Sequence, residues 1–363
     1  MSTALVAVIL MKDTTVEVTV LRQVHVVSST GSRPPTGTNV SLIYVLWLSC
    51  FYDTRTLLMS HGERTPSEYE LAMLGTRPSE HVFAPYGAGA MTNEGKILAY
   101  EMGALLRKRY GNFLGPVYSK ARELCQDRVV VLLYEENCPR YKQEKERILK
   151  AFNDEGLLQQ YKDLFQRIAL LTGTNFTSPQ DAYHLNNLFV IQDDIKVANP
   201  KWARHVKKKL MEIAKLEYIM MFYNTLLRKL SGGALLQQII KEAISSVTPG
   251  KPSPRIIVRT GTPVTVAALL SASVASPPRL PDPGAALVFE LHERKPNAGT
   301  TDQNKVLDDG QRFGLKIYYW DDEFAEPRLM EVPGCTDLCP LDTFKELTKT
   351  VVTEDYIKDC AIV

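Results

Sequence analysis

Two kinds of hydrophobic pattern divide the chain into three parts. Residues 16–27 are rich in β-branched side chains, which predicts a largely buried strand near the N-terminus. Further strands are predicted at residues 255–258, 285–292 and 313–320. Between these two regions, from Tyr141 to Val247, the pattern is almost wholly helical. Strands at both ends with a helical block between them favour an α/β domain that carries an inserted helical domain.

Apolar residues at helical spacing define the individual helices. Two helices are predicted at residues 202–230 and 233–247, separated by a Ser-Gly-Gly sequence. Outside the block, residues 91–110 and 264–271 also predict helices. One face of the first part of the block carries large apolar side chains, namely Ile148, Phe152, Leu157, Leu158, Tyr161, Leu164, Phe165 and Ile168.

Composition and charge argue against some classes of protein. The chain has 363 residues, 45% of them hydrophobic and 23% charged, which is typical of a globular protein long enough for two domains. The net charge is only +2 and no basic stripe with interleaved aromatic residues occurs, so nucleic acid is not expected as a partner. No stable membrane span is expected either, because the longest apolar run, Val40–Tyr52, is too short for one.

Two interpretations are open for the apolar run Ala4–Met11. It fits a weak signal peptide within residues 1–15, although a basic n-region and a cleavage site are missing. It fits a first core strand equally well. The triplets that begin at Asn39 and Asn175 have the pattern of acceptors for N-linked glycans, which would suit a secreted chain.

The most informative stretch is the sequence HGERTP, which begins at His61 and contains Arg64. After a parallel strand and before a helix, it would present an imidazole and a guanidinium at the carboxyl edge of a sheet, where ligands bind in open α/β folds. A neutral imidazole can attack phosphorus, and a guanidinium can bind phosphoryl oxygens through two parallel hydrogen bonds. Taken alone, the spacing favours a surface loop fixed by its proline.

The surrounding sequence resembles the histidine acid phosphatases, whose signature is RHGxRxP. Further matches follow in the same order as in that family, at residues 91–95, 110–118, 137–140, 265–270, 284–292 and in the cysteine-containing tail from Cys335 to Cys360. The resemblance implies an α/β fold with a mainly parallel sheet flanked by helices and an inserted all-helical cap domain. The α/β domain would comprise residues 16–140 and 248–363, and the cap domain residues 141–247.

The resemblance also implies a chemistry that uses neither a metal nor an organic cofactor. In the family, a histidine becomes a phosphohistidine, three arginines and a second histidine hold the phosphate, and an aspartic acid protonates the leaving group. His61 matches the nucleophile, and Arg64 matches the second arginine of the signature. The implied substrate is a small phosphomonoester or another phosphorylated molecule, hydrolysed at acidic pH.

This chain departs from the family pattern in three places. Ser60 stands where the first arginine belongs. It is the last residue of an atypical insertion, residues 28–60, which we interpret as translated intron sequence or its equivalent. The short segment that carries the middle arginine of the family is missing. Arg122 and Arg128 are poor candidates to replace that arginine, because their positions are typical of solvated surface charges. Thr262 and Pro263 stand where the second histidine and the acid belong. Threonine cannot supply a cation, and proline cannot donate a proton.

Three functional hypotheses follow. The chain is an impaired acid phosphatase, or a pseudophosphatase that binds an anionic or phosphorylated partner without turnover. The third hypothesis is an interaction protein that uses Val40–Tyr52 to bind a membrane or a partner. It leaves the family matches in the rest of the chain unexplained. The number of subunits stays open, a homodimer included.

The cysteines and the residues around them indicate where the protein is located. The resemblance implies the disulfides Cys138–Cys360 and Cys335–Cys339. Disulfides persist in oxidising compartments, so a secreted or lysosomal protein is expected.

Overall fold

The computed structural model describes residues 19–29, 64–75, 83–90, 92–117, 119, 121–126, 134–273, 281, 285–294, 309–320 and 327–362. Several predictions concern other residues. These are His61, Ser60, Asn39, Arg128, the signal-like segment 1–15 and nearly all of the insertion 28–60. They lie outside the described residues and stay predictions.

In the described part of the chain, seven strands form one sheet: Thr19–Ser29 (β1), Glu123–Gln126 (β2), Ile256–Gly261 (β3), Ala286–Arg294 (β4), Phe313–Trp320 (β5), Arg328–Leu329 (β6) and Cys339–Pro340 (β7). The strand order is β2-β3-β1-β4-β5-β6, and β7 also pairs with β5. The first described strand therefore lies in the middle of the sheet, between two strands from the other end of the sequence.

The sheet is mixed. Strand β3 pairs in parallel with β1 and β2. Strand β4 is antiparallel to β1 and β5, and β5 is antiparallel to β6 and β7. The prediction of a mainly parallel sheet is therefore wrong for the described strands. A continuous apolar run reports burial on both faces and not strand direction, and β4 is buried on both faces although both of its neighbours are antiparallel.

The described α-helices are Glu68–Ala72 (α1), Asn93–Leu114 (α2), Tyr134–Asn137 (α3), Pro139–Asp154 (α4), Lys162–Thr172 (α5), Pro179–Asp194 (α6), Lys207–Met221 (α7), Thr225–Arg228 (α8), Ala234–Val247 (α9), Pro263–Ser273 (α10), Asp309–Arg312 (α11), Leu341–Thr348 (α12) and Tyr356–Cys360 (α13). A π-helical turn, Lys229–Gly233, joins α8 to α9. None of these helices is long and apolar enough to cross a membrane.

The predicted helix at residues 202–230 is divided in two. Helix α7 ends at Met221, and α8 begins after Asn224. The Asn224 side chain accepts a hydrogen bond from the backbone N–H of Leu227 at 2.9 Å, which satisfies a donor at a new helix start. Asparagine is a favourable cap residue, so the division follows from local chemistry that an apolar pattern does not reveal.

Helices cover both faces of the sheet. On one face, α2 packs Met102 and Leu106 against Val24 of β1 and Val288 of β4. On the other face, α9 and α10 pack against the alternate residues of β4, such as Phe289. Side chains point to opposite faces at successive strand positions, so one strand contributes to both cores.

Two disulfides are present among the described residues, and both have the pairing that the resemblance implies. Cys138 is bonded to Cys360, which links the start of α4 to the C-terminal helix α13. Cys335 is bonded to Cys339 and closes a short loop.

Candidate functional site

The candidate site lies at the edge of the sheet where the parallel strands end. Ser29, at the end of β1, is paired with Gly261, at the end of β3. Thr262 and Pro263 follow β3 directly, and the motif that contains His61 is the next family match after β1. Because ligands of open α/β sheets bind at the carboxyl ends of the strands, this edge is where a phosphate would be expected.

Thr262 caps the N-terminus of α10. Its hydroxyl oxygen accepts a hydrogen bond from the backbone N–H of Thr265 at 3.2 Å, and the Thr265 hydroxyl accepts one from the N–H of Thr262 at 3.2 Å. Pro263 occupies the first helical position, where a missing N–H costs nothing. The two positions at which the family has a histidine and an acid thus serve as a helix start without a titratable side chain.

Arg64 is buried and forms a bidentate ion pair with Glu70. Its Nη1 donates to Glu70 Oε2 at 2.8 Å, and its Nη2 donates to Oε1 at 2.7 Å. Only 5% of Arg64 and 3% of Glu70 are exposed. A planar carboxylate therefore accepts two parallel hydrogen bonds from the Nη1 and Nη2 side of the guanidinium.

The start of α1 holds Glu70 in place. The backbone N–H and the hydroxyl of Ser67 both donate to Glu70 Oε2 at 2.9 Å, and the Ser67 hydroxyl accepts from the N–H of Glu70 at 3.2 Å. This reciprocal arrangement is a capping box. The preceding Thr65 fixes the loop, since its N–H donates to the carbonyl of Ala90 at 2.7 Å.

His184 on α6 lies beside this cluster. Its ring is 4.6 Å from the ring of Tyr69 and 5.2 Å from that of Tyr183, measured between centroids. Burial lowers the pKa of His184 to about 4, and the charge of Glu70 opposes this effect only in part. His184 is therefore a neutral imidazole above mildly acidic pH.

We expect the substitution His184→Gln to reduce the loss of stability at acidic pH. The pKa of His184 falls from its usual 6.5 to about 4 on folding, so between these values the unfolded chain binds a proton that the folded chain excludes. The free energy of unfolding therefore decreases as the pH falls through this window. Urea unfolding above pH 6.5 and near pH 4 measures the difference, with exposed His205→Gln as control. Equal acid sensitivity of His184→Gln and the wild type would contradict the prediction.

A cavity of about 260 Å³ is lined by residues of α3, α4, α6 and α7. Its wall includes Gln180, one turn before His184 on α6, and Lys145, whose charge acts on both His184 and Tyr69. Lys145 forms an ion pair with Glu217 at 2.6 Å.

A second buried charge cluster surrounds Glu290 of β4, and sequence analysis missed it. Arg109 Nη2 and the Tyr110 hydroxyl donate to Glu290 Oε1 at 2.8 and 2.7 Å, and His292 Nε2 lies 2.8 Å from Oε2. Although burial opposes ionisation, these hydrogen bonds and the charge of Arg109 hold the pKa of Glu290 below its usual value. Burial raises the pKa of Tyr110. A glutamate inside an otherwise apolar strand was the signal that could have revealed the cluster.

Arg122 forms hydrogen bonds with nearby backbone groups and so stabilises the local structure. Its Nη2 donates to the carbonyl of Val117 at 2.7 Å, and its own carbonyl accepts hydrogen bonds from the N–H groups of Arg255 and Ile256. No group of three or more His, Cys, Asp or Glu side chains that could hold a metal ion occurs among the residues that the structure describes.

Comparison with known proteins finds relatives of one kind, although no family profile matches the chain. The venom acid phosphatase Acph-1 of Apis mellifera is 25% identical, over 84% of this chain and 86% of the relative. The prostatic acid phosphatase of Bos taurus is 26% identical, over 85% and 87%. The lysosomal acid phosphatase of Rattus norvegicus is 22% identical, over 85% and 79%.

Solved phytase structures share the fold. The phytase of Citrobacter braakii aligns with a TM-score of 0.56 and 15% identity, covering 94% of this chain and 100% of the phytase. The phytase of Hafnia alvei in complex with tartrate aligns with a TM-score of 0.55 and 16% identity, covering 95% and 99%. At such identities the likeness concerns the fold alone.

The relatives are acid phosphatases and so define a class of hydrolases to which this chain is related. Within that class, the chain resembles the histidine acid phosphatases, and the resemblance that its motifs indicate is confirmed. Of the predicted site residues, Arg64 is buried and Asn175 is exposed. The roles of His61, Arg64, Asn39 and Asn175 stay predictions.

Proposed function

We propose that this protein is an acid phosphatase-type hydrolase of phosphate monoesters whose catalytic site is impaired. The observation that carries the proposal is the helix cap formed by Thr262 and Pro263. Phosphoryl transfer needs cations on the phosphoryl oxygens and a proton for the leaving alkoxide. Neither side chain can provide a positive charge or release a proton.

The remaining chemistry rests on the motif. His61 would attack phosphorus and form the phosphohistidine, and Arg64 would stabilise the negative charge on the phosphoryl oxygens. Without a proton donor at position 263, the leaving group must depart as an alkoxide or take its proton from water. Slow turnover is therefore expected, with good leaving groups least affected.

Turnover of p-nitrophenyl phosphate at acidic pH is expected to be at least ~100-fold lower than that of the Apis mellifera venom acid phosphatase measured in parallel, because losing one contact to the transition state typically costs that much. The double substitution Thr262→His/Pro263→Asp is expected to raise the rate, and His61→Ala to abolish what remains. Turnover equal to that of the relative and abolished by His61→Ala would refute the impairment.

The second candidate function is a pseudophosphatase that binds an anionic or phosphorylated partner. The observation in its favour is that Arg64 keeps its place in the motif and its fork geometry, with a carboxylate bound. Under this hypothesis a phosphorylated ligand binds the wild type and His61→Ala equally well, and neither protein turns it over.

We also propose that residues 141–247 act as a cap over the site and that the protein is secreted or lysosomal. The helices α4 to α9 support the first proposal, and the two disulfides support the second. Exposure of Asn175 and Thr177 is compatible with a glycan there. A mass shift on treatment with an endoglycosidase would test the modification.

A further inference from the structure

We propose that Glu70 positions Arg64 and competes internally with the anionic ligand of the candidate site. The proposal rests on the proposed role of Arg64 in phosphate binding. It adds a residue outside the motif that sets how strongly the site binds an anion, and it names the class of ligand that can bind there.

The geometry of the ion pair is the first argument. A guanidinium recognises a carboxylate or a phosphate through two parallel N–H···O hydrogen bonds. Glu70 already accepts both from Arg64, at 2.8 Å from Nη1 and 2.7 Å from Nη2. A phosphate cannot take these two donors while the carboxylate holds them.

The fixed position of Glu70 is the second argument. Its Oε2 also accepts from the backbone N–H and the hydroxyl of Ser67, both at 2.9 Å, so the carboxylate would remain in place if Arg64 turned away. Both members of the pair are buried, where water and salt screen a charge pair little. An incoming anion that uses the same two N–H groups must therefore displace an acceptor that is already bound.

The ligand class follows from this competition. A monoanionic carboxylate offers Arg64 nothing that Glu70 does not already provide. A phosphate monoester brings close to two negative charges and three acceptor oxygens at neutral pH. At neutral pH, where the phosphate is largely dianionic, the pair therefore selects phosphate over carboxylate ligands, with a lower affinity for both.

The test compares binding of inorganic phosphate to the wild type and to Glu70→Gln, by calorimetry and by the thermal unfolding midpoint. Glutamine keeps the shape of the side chain and removes its charge. We expect Glu70→Gln to unfold at a lower temperature without phosphate, because Arg64 loses its counter-ion. It should bind phosphate at least ~10-fold more tightly, and phosphate should raise its midpoint more than that of the wild type.

The matched control is Glu68→Gln, an exposed glutamate of the same helix, which should leave phosphate binding unchanged. The double variant Arg64→Gln/Glu70→Gln should not show the tighter phosphate binding expected for Glu70→Gln. If Glu70→Gln does not fold, Glu70→Asp serves instead, because it shortens the side chain and should give a smaller gain.

Equal phosphate affinity of the wild type and the Glu70 variant would overturn the proposal. If the wild type binds phosphate and the variant shows no gain, the proposed function stands without this inference. If neither protein binds phosphate and the wild type shows no turnover, both are overturned.

Discussion

Replacing Cys138 and Cys360 together by alanine is expected to lower the free energy of unfolding by about 5 kcal/mol, because this disulfide closes a loop with a sequence separation of 222 residues. In the chain-entropy description, a crosslink restricts the unfolded chain more as the loop becomes longer. Alanine is preferable to serine because Cys138 is the N-cap of α4, where a serine hydroxyl could add a capping hydrogen bond.

Urea unfolding of the oxidised proteins measures this loss. The matched control is Cys335→Ala/Cys339→Ala, whose sequence separation is only 4 and whose expected loss is about 2 kcal/mol from the same relation. Equal losses in the two variants would mean that loop length does not determine the contribution of either bridge.

The substitution Glu290→Ala is expected to lower the free energy of unfolding by about 3 kcal/mol, because it leaves a partly buried cation and a buried hydroxyl without their acceptor. The Glu290 side chain is 5% exposed and that of Arg109 is 29% exposed. Part of the charge can therefore reach water, which places the expected loss at the lower end of the range for broken buried pairs.

The control is Glu293→Ala on the same strand. Glu293 pairs with Arg22 and Arg312, whose side chains are about half exposed, so its loss should be about 1 kcal/mol. The effect of Glu290→Ala should also depend on pH. The pKa of Glu290 is lowered on folding, so its contribution is present above its usual value of 4.5 and is lost as the pH falls below it. A loss independent of pH would contradict the assigned cause.

Strands and helices with strong periodic patterns could be predicted from the sequence. The strand at residues 313–320 has the predicted bounds, and the helix predicted at 264–271 is observed as Pro263–Ser273. The direction of the strands could not be predicted, because the pattern reports which faces are buried. The break after Met221 depends on one asparagine cap, which apolar periodicity does not report.

The identities of the residues at the candidate site could be predicted from the sequence, but their contacts could not. The absence of a histidine and an acid at Thr262 and Pro263 could be read from the sequence, because it concerns residue identity. The helix cap that these residues form depends on Thr265, three positions later. The sequence Ser67-Glu-Tyr-Glu70 does carry a capping-box pattern. That pattern cannot tell that the same carboxylate also reaches Arg64, because the contact depends on how the loop folds back.

The central position of β1 determines when this strand can fold during synthesis of the chain on the ribosome. Its described neighbours, β3 and β4, begin at Ile256 and Ala286, so the ribosome has to add the 226 residues between Ser29 and Ile256 before the first of them starts. At ~5–20 residues per second this takes roughly 10 to 45 s, during which neither described neighbour of this apolar strand has been made. The helices made in that interval can fold through local contacts. Chaperones that shield this strand during synthesis should therefore raise the yield of the folded protein.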